Sequence, residues 1–234
     1  MVLAKQTNLQ ALDRQDPLAR QDPLARQTTG VRSTPAWTLD VLAGRVTEIM
    51  GFGASARTSW LAALVAQAQR AGETAAWLQL VDGPLFPPDF ANLGVDVGQL
   101  TVGFLPDAMA MLRAADVLLR SGAFGLCVVD WEEARTRPTD GQLGRLLGLA
   151  QKNDAALVFL THGGKLADST KERSAGQERS AGQDLGSLVS LRLEVKRERR
   201  PDGLFSVVIE ALKDKRHGPG RRVEEVWHGP QGLS

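Results

Sequence analysis

One stretch limits this chain more than any other: Gly51-Phe-Gly-Ala-Ser-Ala-Arg-Thr-Ser59, set between a strand-like run, Arg45–Met50, and a helix-like run, Trp60–Arg70. Strand, glycine-bearing turn and helix in that order is the setting in which G-x-x-x-x-G-K-[ST] forms a phosphate-binding loop. Gly51 takes the first glycine position. Ala56 stands at the second glycine, Arg57 at the lysine and Thr58 at the hydroxyl. Such a loop offers backbone N–H groups and a lysine to phosphates at a helix N-terminus, while the hydroxyl holds magnesium. Ala56 adds a methyl group where bare backbone is needed. Arg57 is longer and planar, so its charge is not delivered to the same point. The cofactor-binding set Gly51, Ala56, Arg57, Thr58 and Asp130 is therefore expected to be inactive. No catalytic residue and no cofactor are assigned.

Asp130 enters as the end of a second element, the apolar strand Leu126-Cys-Val-Val-Asp130, where α/β sheets place their ligand sites. A strand-terminal cap is the alternative role for it. After the strand at 74–81 the only candidate base is Asp82, beside Gly83, which reads as a turn residue. Thr58 is expected to survive only as a helix cap.

From residue 45 short apolar runs alternate with helical-period segments, the pattern of a parallel α/β sheet. Strands are predicted at 45–50, 74–81, 100–104, 126–130 and 156–162, and helices at 58–71, 106–121 and 139–153. Gly72 and Gly122 fall where helix C-caps belong. Beyond 185 the periodicity changes to two alternating runs, 188–195 and 204–212, around the turn Pro201-Asp-Gly203, with a last strand at 223–228. The expected fold is α/β, with a mainly parallel central sheet flanked by helices and antiparallel strands at the C-terminal end. Residues 1–35, polar and proline-bearing, read as an arm, and 36–234 as the core domain with a mobile loop near 163–186. Two tandem hexapeptides, at 14–25 and 172–183, are too few for a solenoid and mark segments that tolerate insertion.

A net charge of +1 gives no global attraction to nucleic acid or membrane, so any such surface is local. The single cysteine, Cys127, excludes an intramolecular disulfide and fits a cytoplasmic protein. His162, His217 and His228 are too scattered for a metal site, and no apolar run approaches the roughly 20 residues of a membrane span. Across 192–222 ten bases face five acids. Arg197, Arg199, Arg200, Lys213, Lys215 and Arg216 are the DNA-binding candidates, provided the strands pair and bring them together. Trp131, next to Asp130, is expected to fill the space a nucleotide would take.

Together these residues resemble the RecA family over about 45–230. Leu93-Gly-Val-Asp96 with Gln99-Leu100, the approach Leu119–Ala123 to Val128-Val-Asp130, and the late strands Ser190–Val195 and Leu212–Pro219 carry the likeness. The resemblance implies a RecA-like core. It places Val81 at the catalytic glutamate, Thr161-His162 at a sensor glutamine, and Lys213 and Lys215 at lysines that reach ATP across a filament interface. Among degenerate relatives, the retained landmarks are most similar to the ImuA type, accessory to mutagenic translesion synthesis in the SOS response to DNA damage. That resemblance implies an inactive Y-family polymerase-like partner of the ImuB type, an error-prone replicative polymerase, and RecA itself, with weak non-specific DNA contact and no membrane. A working RecA-type recombinase or ATPase, and a SulA-like inhibitor of division, are the alternatives.

Overall fold

The computed structural model describes residues 37–227 apart from 54, 135, 163–184 and 203. The expected arm, both hexapeptide pairs, His228 and nearly all of the expected loop at 163–186 lie outside the described residues. The elements in chain order are α1 (Leu39–Leu42), β1 (Arg45–Gly51), α2 (Arg57–Arg70), β2 (Ala75–Leu80), β3 (Leu100–Leu105), α3 (Ala108–Ser121), β4 (Leu126–Asp130), α4 (Asp140–Lys152), β5 (Ala156–His162), β6 (Leu191–Arg199), β7 (Phe205–Asp214) and β8 (Arg222–Trp227). Two 3-10 turns, Pro87–Leu93 and Val97–Gln99, lead into β3.

All eight strands form one sheet in the order β3-β2-β4-β5-β1-β6-β7-β8. Neighbours from β3 to β6 run parallel, and the β6–β7 and β7–β8 pairs are antiparallel. The expected α/β architecture is the observed one. The parallel strands are near-continuous apolar runs because both faces of the sheet are covered. On one face α1, α2 and the Pro87–Leu93 turn pack through Leu42, Leu61, Val65 and Phe90 on Ile49, Trp77 and Val128. On the other, α3 and α4 pack through Met111, Leu119, Leu143 and Leu146 on Val129, Leu157 and Phe159.

Helix starts follow local chemistry. The Asp107 carboxylate accepts the Ala110 N–H at 2.7 Å, so α3 begins after Asp107 rather than at Pro106. Thr139 and Gln142 form a reciprocal capping box at α4. Gly122, at φ 69°, ends α3 in the left-handed conformation that glycine adopts without strain.

Among the described residues, two ion pairs link buried carboxylates of the sheet to arginines. Arg45 Nη2 lies 2.6 Å from Asp214 Oδ1, both side chains almost wholly inaccessible. Burial alone would raise the Asp214 pKa, but hydrogen bonds from the Arg45 guanidinium, the Arg216 N–H and His217 outweigh it and hold it at about 2. Glu48 on β1 accepts from Arg192 Nε at 2.6 Å and from the Thr161 hydroxyl at 3.2 Å.

Candidate functional site

Parallel strands direct their carboxyl ends to one edge of the sheet, and there the phosphate loop, Asp130 and the end of β5 meet. β6 runs on past β1. The last β1–β6 pair is Met50↔Glu194, while β6 continues to Arg199 and overhangs the loop. A Cβ built on Gly51 would lie 2.5 Å from the Val195 carbonyl, 2.8 Å from Ser55 Oγ and 2.9 Å from Arg57 Cδ. Gly51 is thus required for the close approach of β6 and Arg57. The retained glycine has a packing role that owes nothing to a phosphate.

Arg57 opens α2 and is buried. Its Nη1 donates to the Thr161 carbonyl at 2.7 Å and lies 2.5 Å from Glu132 Oε1. The charge at the lysine position is turned toward the ends of β4 and β5 and neutralised there. His162 Nε2 stands 4.0 Å from the other Glu132 oxygen. Ala56, also buried, is the N-cap residue of α2 and makes no side-chain cap bond. Thr58 does not cap the helix as expected. It lies one residue inside α2, exposed, because the helix begins at Arg57.

Asp130 ends β4 buried, and its carboxylate accepts the Glu132 N–H at 3.2 Å. The strand-end cap is therefore observed. Burial, reinforced by the charge of Glu132, pushes its pKa up to about 7, against the opposing pull of the Glu132 N–H and Arg57. Val81 and Asp82 follow β2 in an exposed turn closed by Gly83 N–H donating to the Leu80 carbonyl.

Trp131 does not fill the nucleotide space. Its ring lies in the α3–α4 core, edge-on to Phe159 at 5.8 Å, with Nε1 donating to the Thr136 carbonyl at 2.9 Å. Successive residues of an extended strand point to opposite faces, and the Trp131 N–H bond to the Leu160 carbonyl continues the ladder one residue past β4. Trp131 turns to one face of the sheet, and Glu132 reaches Arg57 on the other. Glu132 is the site residue that sequence reasoning missed. The signal was present: an arginine in place of a lysine, at a helix start flanked by strands, needs a counter-charge from a neighbouring strand end.

The six DNA-binding candidates are not brought together. β6 and β7 pair antiparallel as expected, but that pairing sets Arg192 opposite Lys213 and Arg199 opposite Phe205. Arg197, Arg199 and Arg200 stand at the carboxyl edge. Lys213, Lys215 and Arg216 stand at the other end of the hairpin, at least about 20 Å from Arg199 at roughly 3.3 Å per residue. Several bases also have internal partners. Arg200 pairs with Asp202 at 3.1 Å, Lys196 with Glu194 at 2.7 Å, and Arg197 lies over the Phe205 ring at 4.9 Å. Lys213 Nζ donates to the Gly186 and Ser187 carbonyls, and Arg216 to Ala43.

Among the described residues no group of His, Cys, Asp and Glu is arranged to hold a metal ion. Nor is any described helix long and apolar enough to cross a membrane.

A RecA N-terminal domain model matches residues 37–153, half of the chain. The RecA protein of Acinetobacter baylyi is 36% identical over 153 residues, covering 55% of this chain and 44% of that protein. A RecA protein of Acinetobacter baumannii is 35% identical over the same length. The chain thus spans less than half the length of these relatives. A crystal structure of the RadB recombinase superposes with a TM-score of 0.58 at 18% identity, over 83% of this chain and 94% of that one, a likeness of fold.

Proposed function

The chain belongs to the RecA family, and on that premise we propose that it is a non-catalytic member that works by binding protein partners in damage-induced mutagenic translesion synthesis, as ImuA-type proteins do. One observation carries the reading. The cation at the phosphate-loop lysine position is buried against Glu132 and the Thr161 carbonyl, where it serves the sheet edge. Ala56 and the close approach of Val195 to Gly51 leave little of the bare backbone that a triphosphate needs. Asp130 is buried at the end of β4, and its carboxylate is already engaged by the Glu132 N–H. The residues do not fit ATP with magnesium, and no reaction step is assigned to them.

The partners proposed are an inactive Y-family polymerase-like protein of the ImuB type, an error-prone replicative polymerase, and RecA, in the cytoplasm. The RecA-like landmarks kept across 37–153, loop and Val128-Val-Asp130 strand included, support the ImuA reading over a SulA-like one. Affinity capture with purified candidates tests it. Retention of the polymerase-like protein supports the reading. Retention of the tubulin-like division protein alone favours the SulA-like alternative.

A working recombinase or ATPase is the rival. It predicts DNA-stimulated ATP hydrolysis that Arg57→Ala abolishes.

A further inference from the structure

The far end of the sheet carries the opposite charge from β6–β8. From residue 71 to residue 112 there is no Lys, Arg or His, and all five charged residues are acidic. Three of them are exposed: Asp82 and Asp107 just past the carboxyl ends of β2 and β3, and Asp89 in the 3-10 turn that follows β2. The same corner exposes large apolar side chains: Phe86 at 61%, Val81 at 56% and Phe104 at 51%.

The β2–β3 ladder and one side-chain clamp bring the segments that carry them together. Gln79 and Phe104 are register partners in the β2–β3 pair, so they share a face. The Gln79 side chain exchanges two hydrogen bonds with the Leu85 backbone, which fixes Phe86 beside that face. Val81 donates its N–H to the Leu105 carbonyl at 3.0 Å, closing the corner. β3 is also the last strand of the sheet on this side, and an apolar edge of this kind is an aggregation hazard unless something covers it.

We propose that this corner is the docking surface for a basic segment of a partner protein, one that carries two apolar anchors between lysines or arginines. The inference rests on the partner-binding reading above and gives it a surface. Charge complementarity selects the occupant: the only charged side chains along 71–112 are carboxylates, which favour cationic neighbours and repel acidic ones. A second copy of this chain is a poorer match. Five of the bases at its own β6–β8 end, Arg192, Lys196, Arg200, Lys213 and Arg216, already bind Glu48, Glu194, Asp202 or backbone carbonyls.

The test uses the full chain and a fluorescein-labelled peptide of roughly 12 residues alternating Lys with Leu and Phe, read by anisotropy. Glu-for-Lys and Ser-for-Leu/Phe versions serve as controls. The wild type should bind the basic apolar peptide and neither control. Phe86→Ser/Phe104→Ser and Asp82→Asn/Asp89→Asn should each weaken binding by about tenfold or more. Val117→Ser, on the exposed side of α3, should leave it unchanged. All five positions are exposed, so the variants should fold, and matching thermal unfolding would show it. Absence of binding, or equal binding by all variants, overturns the proposal. So does self-association in sedimentation velocity that Phe104→Ser abolishes, which would make a second copy the occupant. ATP titration of the same preparations separates the two readings. ATP binding would sink the non-catalytic reading and leave this surface standing, whereas peptide failure alone would do the reverse.

Discussion

Arg57 Nη1 lies 2.5 Å from Glu132 Oε1, an arginine from the first residue of α2 paired with a carboxylate two residues beyond the end of β4. The pair joins the phosphate loop to the neighbouring strand ends and occupies the charge that a nucleotide would otherwise recruit.

Because both side chains are nearly buried, removing one partner should leave an uncompensated charge. Glu132→Gln is expected to cost about 3 kcal/mol of stability by urea denaturation. Arg57→Met/Glu132→Met should recover much of that, since neither charge is then left buried. A Glu132→Gln protein as stable as the wild type would show that the pair holds nothing together.

The Arg45–Asp214 pair sets an acid limit on stability. Asp214 has a folded pKa of about 2, below the roughly 3.9 of an unfolded aspartate. Its contribution is therefore fully present above pH ~4 and is lost as pH falls toward 2. Asp214→Asn should be less stable than the wild type at pH 7, with the gap narrowing as pH falls from 4 to 2. A gap independent of pH in that window would rule out an ionic origin.

Much of this was legible in the sequence. The strands 45–50, 126–130 and 156–162 lie within a residue of β1, β4 and β5, because apolar runs bounded by turns have few other folds open to them. The alteration of the phosphate loop was also legible, residue by residue. What was not legible depends on direction. Sequence spacing could not say which face of the sheet Trp131 takes and which Glu132 takes. Nor could the count of bases over 192–222 show that antiparallel pairing sends Arg199 and Lys213 to opposite ends of one hairpin. The acids Glu48 and Asp214 read as strand residues, and only tertiary pairing gave them Arg192 and Arg45.

Splitting the basic residues sharpens what DNA should do. If DNA contacts the Arg197, Arg199 and Arg200 group, no more than about three phosphates are engaged, and the log–log salt slope should be near 2 to 3 at roughly 0.7–0.9 per contact. Fluorescence anisotropy on single- and double-stranded oligonucleotides measures it. Arg197→Ala/Arg199→Ala should flatten the slope, while Lys213→Ala/Lys215→Ala should not. A slope near 5 that falls in both variants would mean that the two groups act as one surface.

The central claim, that this RecA-family chain does not use its phosphate loop, meets its most direct test in calorimetric titration of the full chain with ATP and magnesium at neutral pH. No measurable heat of binding is expected at millimolar nucleotide, and no gain in Ala56→Gly/Arg57→Lys alone, since Glu132, Val81 and the buried Asp130 would remain. Micromolar ATP binding by the wild type, lost in Arg57→Ala, would contradict it.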